Sequence, residues 1–193
     1  MRFINYTLIA FIVATLFACN TDRNNLSKET AQPNIDSNNT IDQQKEIPFK
    51  VQILKTSNEK DIVLKISNPI GMSLVNIDII GANFENKIPI SLIDIDPINK
   101  IELYDMDNDG FDELFIFTNA AGSGSYGEIY AFSSNKGIRL KAIDVANFKY
   151  DDYQGHDSFI LRKNKLIRTF KVDNTKETDS ISYIYNGSSL IIE

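Results

Sequence analysis

The chain has 193 residues, with 20 lysines and arginines against 26 aspartates and glutamates, and a formal net charge of −6 at pH 7. It contains no basic cluster and no basic stripe interleaved with aromatic residues, so nucleic acid is not an expected partner. An acidic surface favours a cationic partner and discourages close approach to anionic lipid.

The amino-terminal segment has the pattern of a bacterial lipoprotein leader. Arg2 supplies a positive charge, and residues 8–18 form an almost wholly apolar run that is too short to span a bilayer. The run ends in Leu-Phe-Ala-Cys at 16–19, which resembles a lipobox with Cys19 as the acylated residue. We therefore expect a lipoprotein signal peptide over residues 1–18 and a lipid anchor in the bacterial cell envelope, at the outer membrane facing the periplasm or the surface. The alternative is an ordinary signal peptide with an incidental cysteine.

Cys19 is the only cysteine, which excludes an intramolecular disulfide. The residues after it are rich in Asn, Gln, Asp, Ser and Thr and hold too little apolar surface to offset the entropy of ordering. Residues 19–47 are therefore predicted to be the lipidated cysteine and a disordered tether. The remainder, residues 48–193, is long enough for one domain with its own core.

Apolar residues recur at every second position through much of this domain, and no long helical period competes with them. Such alternation is typical of strands with one buried face, and the apolar sets of the first three runs are expected to face the core. Turn-forming pairs such as Asn68-Pro69 and Lys163-Asn164 separate the runs. The predicted strands contain Phe49/Val51/Ile53, Ile62/Leu64/Ile66 and Val75/Ile77/Ile79, followed by runs at 100–105, 113–118, 128–132, 158–162, 165–171, 180–185 and 188–193.

Two of these runs carry extra information. The run ELFIFT at 113–118 is apolar on both faces, which predicts a central strand. The pair Asn186-Gly187 is typical of a two-residue type I′ hairpin between the last two strands. Short strands at this spacing predict an all-β fold, an antiparallel β-sandwich, with a β-barrel as the alternative.

An acidic turn precedes the central strand. Asp105, Asp107, Asp109 and Asp112 offer carboxylates at the alternating spacing of a calcium-binding loop. The segment is not an EF-hand, since its twelfth position is Ile116 rather than glutamate. It resembles the acidic loops of FG-GAP repeat proteins, although it occurs in a single copy. Calcium is thus a possible ligand, and a solvated turn is the alternative.

A loop of small residues follows the central strand. The sequence Ala-Ala-Gly-Ser-Gly-Ser-Tyr-Gly at 120–127 leaves little bulk on the backbone, so Ser123, Ser125 and Tyr126 are expected to stand out from a slender tip. Gly124 lies between the two serines, where a positive φ would be available to it. Such a tip would enter a groove and offer hydroxyl groups to its floor. The alternative is a flexible hairpin connection.

The only histidine of the chain is His156, in Tyr-Gln-Gly-His-Asp at 153–157. We expect it to contact a partner from a loop beside the tip, and the alternative is a structural histidine held by Asp157 or by the backbone. Ser123, His156 and Asp157 also form a conceivable nucleophilic triad. However, adjacent residues on a strand point to opposite faces, which places His156 and Asp157 poorly as base and orienting acid.

The order of these segments resembles one known family. AAGSGSYGEIYAF at 120–132, YQGHDSF at 153–159 and KLIRTFKV at 165–172 resemble the periplasmic inhibitors of invertebrate-type (I-type) lysozyme. The similarity covers about residues 101–172, whereas residues 48–100 carry none, and a lipobox departs from the soluble periplasmic form. The resemblance implies a β-sandwich that is not an enzyme and requires no cofactor.

The resemblance also implies a partner, I-type lysozyme, and a mode of binding. In that family the tip enters the lysozyme cleft, and the matching positions here are Ser123, Gly124 and Tyr126, with Ser125 and His156 beside them. Hydroxyl groups at such a tip would donate hydrogen bonds to the two acidic side chains that a glycosidase requires. Two other functions stay open: a calcium-dependent surface-binding module and an uncharacterised hydrolase.

Overall fold

The structure is a computed structural model that describes residues 49–68, 72–173 and 177–193. All of these residues belong to one compact unit of the chain, Gln44–Glu193. The expected signal peptide, the lipid anchor on Cys19 and the tether therefore lie outside the described residues. Within the described ranges, no helix is long and apolar enough to cross a membrane.

The described residues are almost entirely strands and connecting turns, so the all-β prediction is confirmed. A three-residue 3-10 turn, Asn135–Gly137, lies between the seventh and eighth strands. The strands of the described ranges are β1 (Phe49–Lys55), β2 (Asp61–Ser67), β3 (Val75–Gly81), β4 (Ile90–Ile95), β5 (Ile98–Tyr104), β6 (Glu113–Asn119), β7 (Gly127–Ser133), β8 (Lys141–Val145), β9 (Ser158–Arg162), β10 (Lys165–Lys171), β11 (Thr178–Tyr185) and β12 (Ser189–Ile192).

These strands form two sheets. β1 to β4 make a four-stranded antiparallel meander, and the other eight follow the order β5-β6-β7-β8-β12-β11-β10-β9. The eight-stranded sheet is two meanders joined through β8 and β12, which pair in parallel through Ser189 with Asp144 and Leu190 with Val145. This pair departs from the antiparallel pairing predicted for the whole fold.

The eight-stranded sheet curls so that it nearly closes on itself. Phe117 on β6 stacks on Phe159 on β9, with ring centroids 4.8 Å apart. The backbone N–H of Asn164, between β9 and β10, donates to the Tyr104 hydroxyl at the end of β5. The predicted sandwich and its alternative, a barrel, each describe part of this arrangement, because a sheet that nearly closes also packs against a second sheet.

The position of the central strand β6 between two hydrophobic cores explains why its sequence is apolar throughout. Leu114 and Ile116 join the core shared with the four-stranded sheet, whereas Phe115 and Phe117 fill the core enclosed by the eight-stranded sheet. All four side chains are fully buried. Since successive residues on a strand point to opposite faces, only a strand with a core on each side is apolar at every position.

The first strand, β1, buries the face opposite to the one predicted from the sequence. Leu54 pairs with Ile62 and Gln52 with Leu64, so Leu54 and Gln52 share the core-facing side of β2. The apolar set Phe49, Val51 and Ile53 therefore points to solvent, with 49–64% of each residue exposed. The prediction that this set is buried is wrong, because the register with β2 decides the face.

The last hairpin exists as predicted but uses a different turn. The last pair of the ladder is Tyr185 with Leu190, and residues 186–189 connect them. Asn186 N–H donates to the Ser189 carbonyl at 3.1 Å, and Ser189 N–H donates to Asn186 Oδ1 at 2.9 Å. Gly187 has φ +86°, but Asn186 is not in the left-handed region. A type I′ turn over Asn186-Gly187 requires positive φ at both residues, so the predicted type I′ turn is wrong.

Candidate functional site

The small-residue loop and the histidine segment, two blocks that are separate in sequence, lie together. The loop after β6 contacts the segment before β9 through backbone hydrogen bonds: His156 N–H donates to the Gly124 carbonyl at 2.6 Å, and Asp157 N–H donates to the Ser125 carbonyl at 3.4 Å. We call residues 120–126 the tip loop and residues 153–157 the support segment. Together they form one surface at the end of β6.

The tip loop is a compact turn. Ala120 N–H donates to the Tyr126 carbonyl at 2.8 Å, and Ser125 N–H donates to the Gly122 carbonyl at 3.0 Å. Ser125 has φ +44°, and its carbonyl also accepts a 3.0 Å hydrogen bond from the Asn119 side chain. Ser125 is partly buried, and its backbone groups hold the loop in shape.

Ser123 and Tyr126 are the two hydroxyl-bearing residues that the tip loop exposes. Ser123 is exposed, and 47% of Tyr126 is open to solvent. The Tyr126 ring meets the Tyr153 ring edge to face at a centroid distance of 5.3 Å. The outer edge of Tyr126 is thus free, while its inner edge is held by the support segment.

Two glycines make the close contact between the tip loop and the support segment possible. A β-carbon on Gly124 would overlap the Tyr126 ring, and one on Gly155 would overlap the Gly124 carbonyl oxygen. Gly155 also has φ +75°, a conformation that side chains rarely adopt. Gly124 itself does not have positive φ, so it is needed for space beside Tyr126 rather than for backbone conformation.

A buried ion pair anchors the support segment. Arg168 on β10 donates through Nε to Asp157 Oδ1 at 2.6 Å, and both side chains are at most 8% exposed. Asp157 Oδ2 accepts the Gly127 N–H at 2.6 Å and the Tyr153 hydroxyl. Arg168 Nη2 also donates to the Gly127 carbonyl at 3.0 Å. Gly127, the first residue after the tip loop, is therefore held at both its N–H and its carbonyl.

Aromatic rings pack against the arginine of the ion pair. The guanidinium of Arg168 lies 4.0 Å from the centre of the Phe148 ring, a distance at which a cation–π attraction operates. Burial disfavours the Arg168 cation, but the hydrogen bond and charge of Asp157 outweigh that effect and raise the pKa of Arg168. Burial, together with the hydrogen bond to Asp157, raises the pKa of the Tyr153 phenol far above its ordinary range. Arg168 is therefore charged at neutral pH, and Tyr153 is protonated.

Sequence reasoning assigned no role to Arg168, although a signal was present. The period-two pattern of β10 places Arg168 on the same face as the buried residues Leu166 and Phe170. A charged side chain on a core face requires an opposite charge nearby, because an unpaired buried charge is strongly unfavourable. The acidic partner, Asp157, lies outside β10 and could not be chosen from sequence alone.

His156 is exposed and stands in the left-handed region at φ +56°. The Asp157 carboxylate is bound to Arg168, Tyr153 and Gly127, and Asp157 is buried where His156 is not. This geometry gives the imagined Ser123–His156–Asp157 triad no orienting acid. His156 instead lines a shallow polar depression of about 350 Å³ beside the tip loop, together with Ser123, Gly124, Tyr126, Gln154, Lys171 and Asp173.

A second hollow lies on the other side of Tyr126. This groove, of about 370 Å³, has aromatic walls that include Phe148 and Tyr153, and the carboxyl-bearing residues Asp96 and Glu128 also line it. Tyr126 belongs to both hollows and therefore forms the ridge between them. A ridge with a depression on each side is a shape that fits into a cleft of a partner protein.

The acidic turn lies at the opposite end of β6 from the tip loop. Carboxylate oxygens of Asp105, Asp107 and Asp109 come within 4.8 Å of one another. Backbone N–H groups fold the turn around them: Gly110 N–H donates to Asp105 at 3.0 Å and Phe111 N–H donates to Asp109 at 2.8 Å. The structure thus brings together three of the four predicted metal ligands.

The fourth predicted ligand, Asp112, points elsewhere. It is buried, and its Oδ2 accepts the Ser57 N–H of the turn between β1 and β2 at 2.5 Å. Glu113 lies nearer to the cluster. Burial, opposed in part by a hydrogen bond from Met106 and reinforced by the charges of the three aspartates, raises the pKa of Glu113 to about 8. Asp112 therefore ties two turns together and leaves the cluster.

No family model, curated protein or solved structure matches this chain. The functions of the tip loop and the acidic turn are therefore inferred from their own chemistry. For the tip loop, the resemblance of residues 120–132, 153–159 and 165–172 to the I-type lysozyme inhibitors adds to that chemistry.

Proposed function

We propose that the protein is an inhibitor of I-type lysozyme and not an enzyme. The tip loop enters the active-site cleft of the lysozyme and blocks access to peptidoglycan. The observation that carries the proposal is the contact between the tip loop and the support segment, through the 2.6 Å hydrogen bond from His156 N–H to the Gly124 carbonyl. Two of the three segments that carry the family resemblance, 120–132 and 153–159, thus contribute to one exposed ridge.

The chemistry of the ridge suits a glycosidase cleft. Glycoside hydrolysis uses two carboxyl groups that flank the scissile bond, one of them a proton donor. The hydroxyls of Ser123 and Tyr126 are donors that would bind the ionised carboxylate and occupy the place of substrate or water. Hydrogen bonds to a charged acceptor are stronger than those between neutral groups. His156, in the depression beside Ser123, would contact the cleft rim.

Contacts within the protein hold the tip loop in a defined shape. A loop that must order itself on binding loses affinity to the entropy of ordering, whereas a preorganised loop does not. Here the hydrogen bonds within the loop, the Gly124–Gly155 contact and the buried Asp157–Arg168 pair restrict it before any partner arrives. Rigid loops of this kind are typical of protease–inhibitor complexes, in which the interface backbone moves little.

The proposed location follows from the proposed partner. A lysozyme of a host animal reaches peptidoglycan through the bacterial envelope, so an inhibitor there protects the substrate. A lipid on Cys19 would anchor the protein in the envelope, and a polar tether over residues 20–47 would let the inhibitory domain reach an arriving enzyme.

The test is inhibition of an I-type lysozyme by the protein from residue 20 onward, measured as an inhibition constant. Ser123→Ala and Tyr126→Ala should each weaken binding by about 2–4 kcal/mol, as central interface residues often do. Tyr126→Phe should cost less than Tyr126→Ala, because the ring retains most of the packing. Ser73→Ala, at an exposed serine just before β3 of the four-stranded sheet, is the control and should bind as the wild type does.

Two outcomes would contradict the proposal at different levels. Full lysozyme activity in the presence of excess protein would remove the proposed function. Inhibition with constants within twofold of wild type for both Ser123→Ala and Tyr126→Ala would retain the function and remove the tip loop as its site. Chicken-type and goose-type lysozymes assayed in parallel would define the class of enzyme recognised.

A further inference from the structure

The acidic turn has the dimensions of a cation site. Calcium binds six to eight oxygen ligands at about 2.3–2.6 Å, so ligand oxygens on opposite sides of the ion lie about 5 Å apart. The carboxylate oxygens of Asp105, Asp107 and Asp109 are at most 4.8 Å from one another. A single ion between them would therefore reach all three without a change in the backbone.

A fourth, buried carboxylate lies beside this cluster. Glu113 is only 3% exposed, and its Oε2 accepts the N–H of Met106, the residue between two of the aspartates, at 2.9 Å. Glu113 also lines a small pocket of about 140 Å³ together with Asp107 and Asp109. Burial at the first position of a central strand, near three other carboxylates, disfavours the charged form of Glu113, and a bound cation would offset that cost.

The pocket contains a further polar group in need of a partner. Ser134, which directly follows β7, is 1% exposed and lines the same pocket, and its hydroxyl has no hydrogen-bond partner in the described part of the chain. Buried hydroxyls are normally satisfied, so this one is available to a ligand or a ligand-bound water in the pocket. The observation is independent of the aspartates, because Ser134 belongs to the connection between β7 and β8.

No side chain supplies the compensating charge. Among the residues that the structure describes, neither lysine nor arginine forms an ion pair with Asp105, Asp107, Asp109 or Glu113. Lys136 lines the pocket without pairing with any of them. All the available ligands are hard oxygen donors, the kind that calcium prefers and that zinc or copper sites seldom use alone.

We propose that this turn is a calcium site whose ligands are Asp105, Asp107, Asp109 and the buried Glu113, with Asp112 outside it. The ion would tie the β5–β6 connection to the start of the central strand. The site is separate from the tip loop, at the other end of β6, so its presence and lysozyme inhibition are independent properties of the molecule.

The test titrates calcium into protein freed of metal with a chelator. Calcium at a hundred times its dissociation constant should raise the melting temperature by about 5–10 °C, because it binds only the folded state. Terbium should bind in place of calcium and emit light sensitised by Tyr185, which lines the pocket. Calcium should then quench that emission by displacement.

Matched variants identify the ligands. Glu113→Gln keeps an acceptor for the Met106 N–H but removes the charge, and should weaken calcium binding by about tenfold or more. Asp107→Asn, at an exposed position where folding is not at risk, should do the same. Asp112→Asn, next to Glu113 but bonded to Ser57, is the control and should keep the calcium response even if its own melting temperature falls.

Three results would overturn the proposal. A melting temperature and a terbium signal that are both indifferent to calcium would show that the turn binds no such ion. Glu113→Gln with wild-type affinity would remove Glu113 from the ligand set. A response to magnesium at the same concentration as to calcium would overturn the assignment of the ion, since magnesium requires shorter bonds and octahedral geometry.

Discussion

Asp157 is the residue on which the shape of the tip loop depends most. Its carboxylate accepts hydrogen bonds from Arg168, from Tyr153 and from the Gly127 N–H, and these partners come from three separate segments of the chain. A buried carboxylate of this kind contributes little when paired, but removing its charge leaves an unpaired arginine in the core. Its effect on stability therefore appears when the pair is broken.

The substitution Asp157→Asn should lower the free energy of unfolding by about 3–5 kcal/mol, as breaking a buried ion pair does. Urea unfolding measures the change, and Asp152→Asn, an exposed aspartate in the neighbouring turn, is the control. The variant should also bind lysozyme more weakly, because Gly127 loses its anchor. A loss below about 1 kcal/mol would mean that the pair does not support the loop.

At the residue scale, the sequence predicted which residues lie in the site but not the contacts that hold them in place. Ser123, Tyr126 and His156 were predicted as neighbours, and the structure places all three around one depression. The roles of Asp157 and Arg168 were not predicted, because their pairing joins β10 to a segment that is not a strand, and local pattern contains no information on such contacts. The fourth carboxylate of the acidic turn was misassigned for a similar reason, since only the contact to Ser57 shows where Asp112 points.

At the scale of elements, alternation predicts that a strand exists more securely than which face it buries. The long apolar runs β6, β7, β10 and β11 were found where predicted. The strands β4 and β8 were not predicted. β8 buries a single side chain, Ile143, which is too few for a recognisable period. On β1, the three apolar residues that suggested a buried face are the exposed ones.

Replacing two neighbouring residues by threonine tests the register of β1. Leu54→Thr should destabilise the protein by about 1–3 kcal/mol, because Leu54 packs against the core shared by the two sheets. Ile53→Thr, one residue earlier on the exposed face, should change stability by less than about 0.5 kcal/mol, since threonine keeps the β-branch that strands favour. Thermal and urea unfolding compare the two. The reverse order would show that β1 pairs with β2 one residue out of the register described.

At the scale of the whole molecule, the fold class was predictable and the topology was not. Short alternating runs and turn residues indicate an all-β chain whatever the partners of each strand. The parallel pairing of β8 with β12 joins segments far apart in the chain, and it decides that the second sheet nearly closes. The doubly apolar β6 was the one local sign that two cores exist.

The net charge of the molecule bears on how it would meet its proposed partner. A formal charge of −6 attracts a basic lysozyme over distances that salt screens, since the screening length falls from about 30 Å at 0.01 M to about 10 Å at 0.1 M ionic strength. Such attraction changes the association rate much more than the lifetime of the complex. The hydroxyl contacts of the tip loop, in contrast, should affect the lifetime of the complex, which is set by the dissociation rate.

Stopped-flow association with a basic I-type lysozyme should therefore slow by about tenfold between low salt and about 0.5 M salt, while the dissociation rate changes little. Tyr126→Phe, which alters no charge, should raise the dissociation rate and leave the salt dependence of association unchanged. The two effects separate steering by the whole surface from binding by the ridge. An association rate that does not respond to salt would mean that the acidic surface does not guide the encounter, and inhibition would then depend on the tip loop alone.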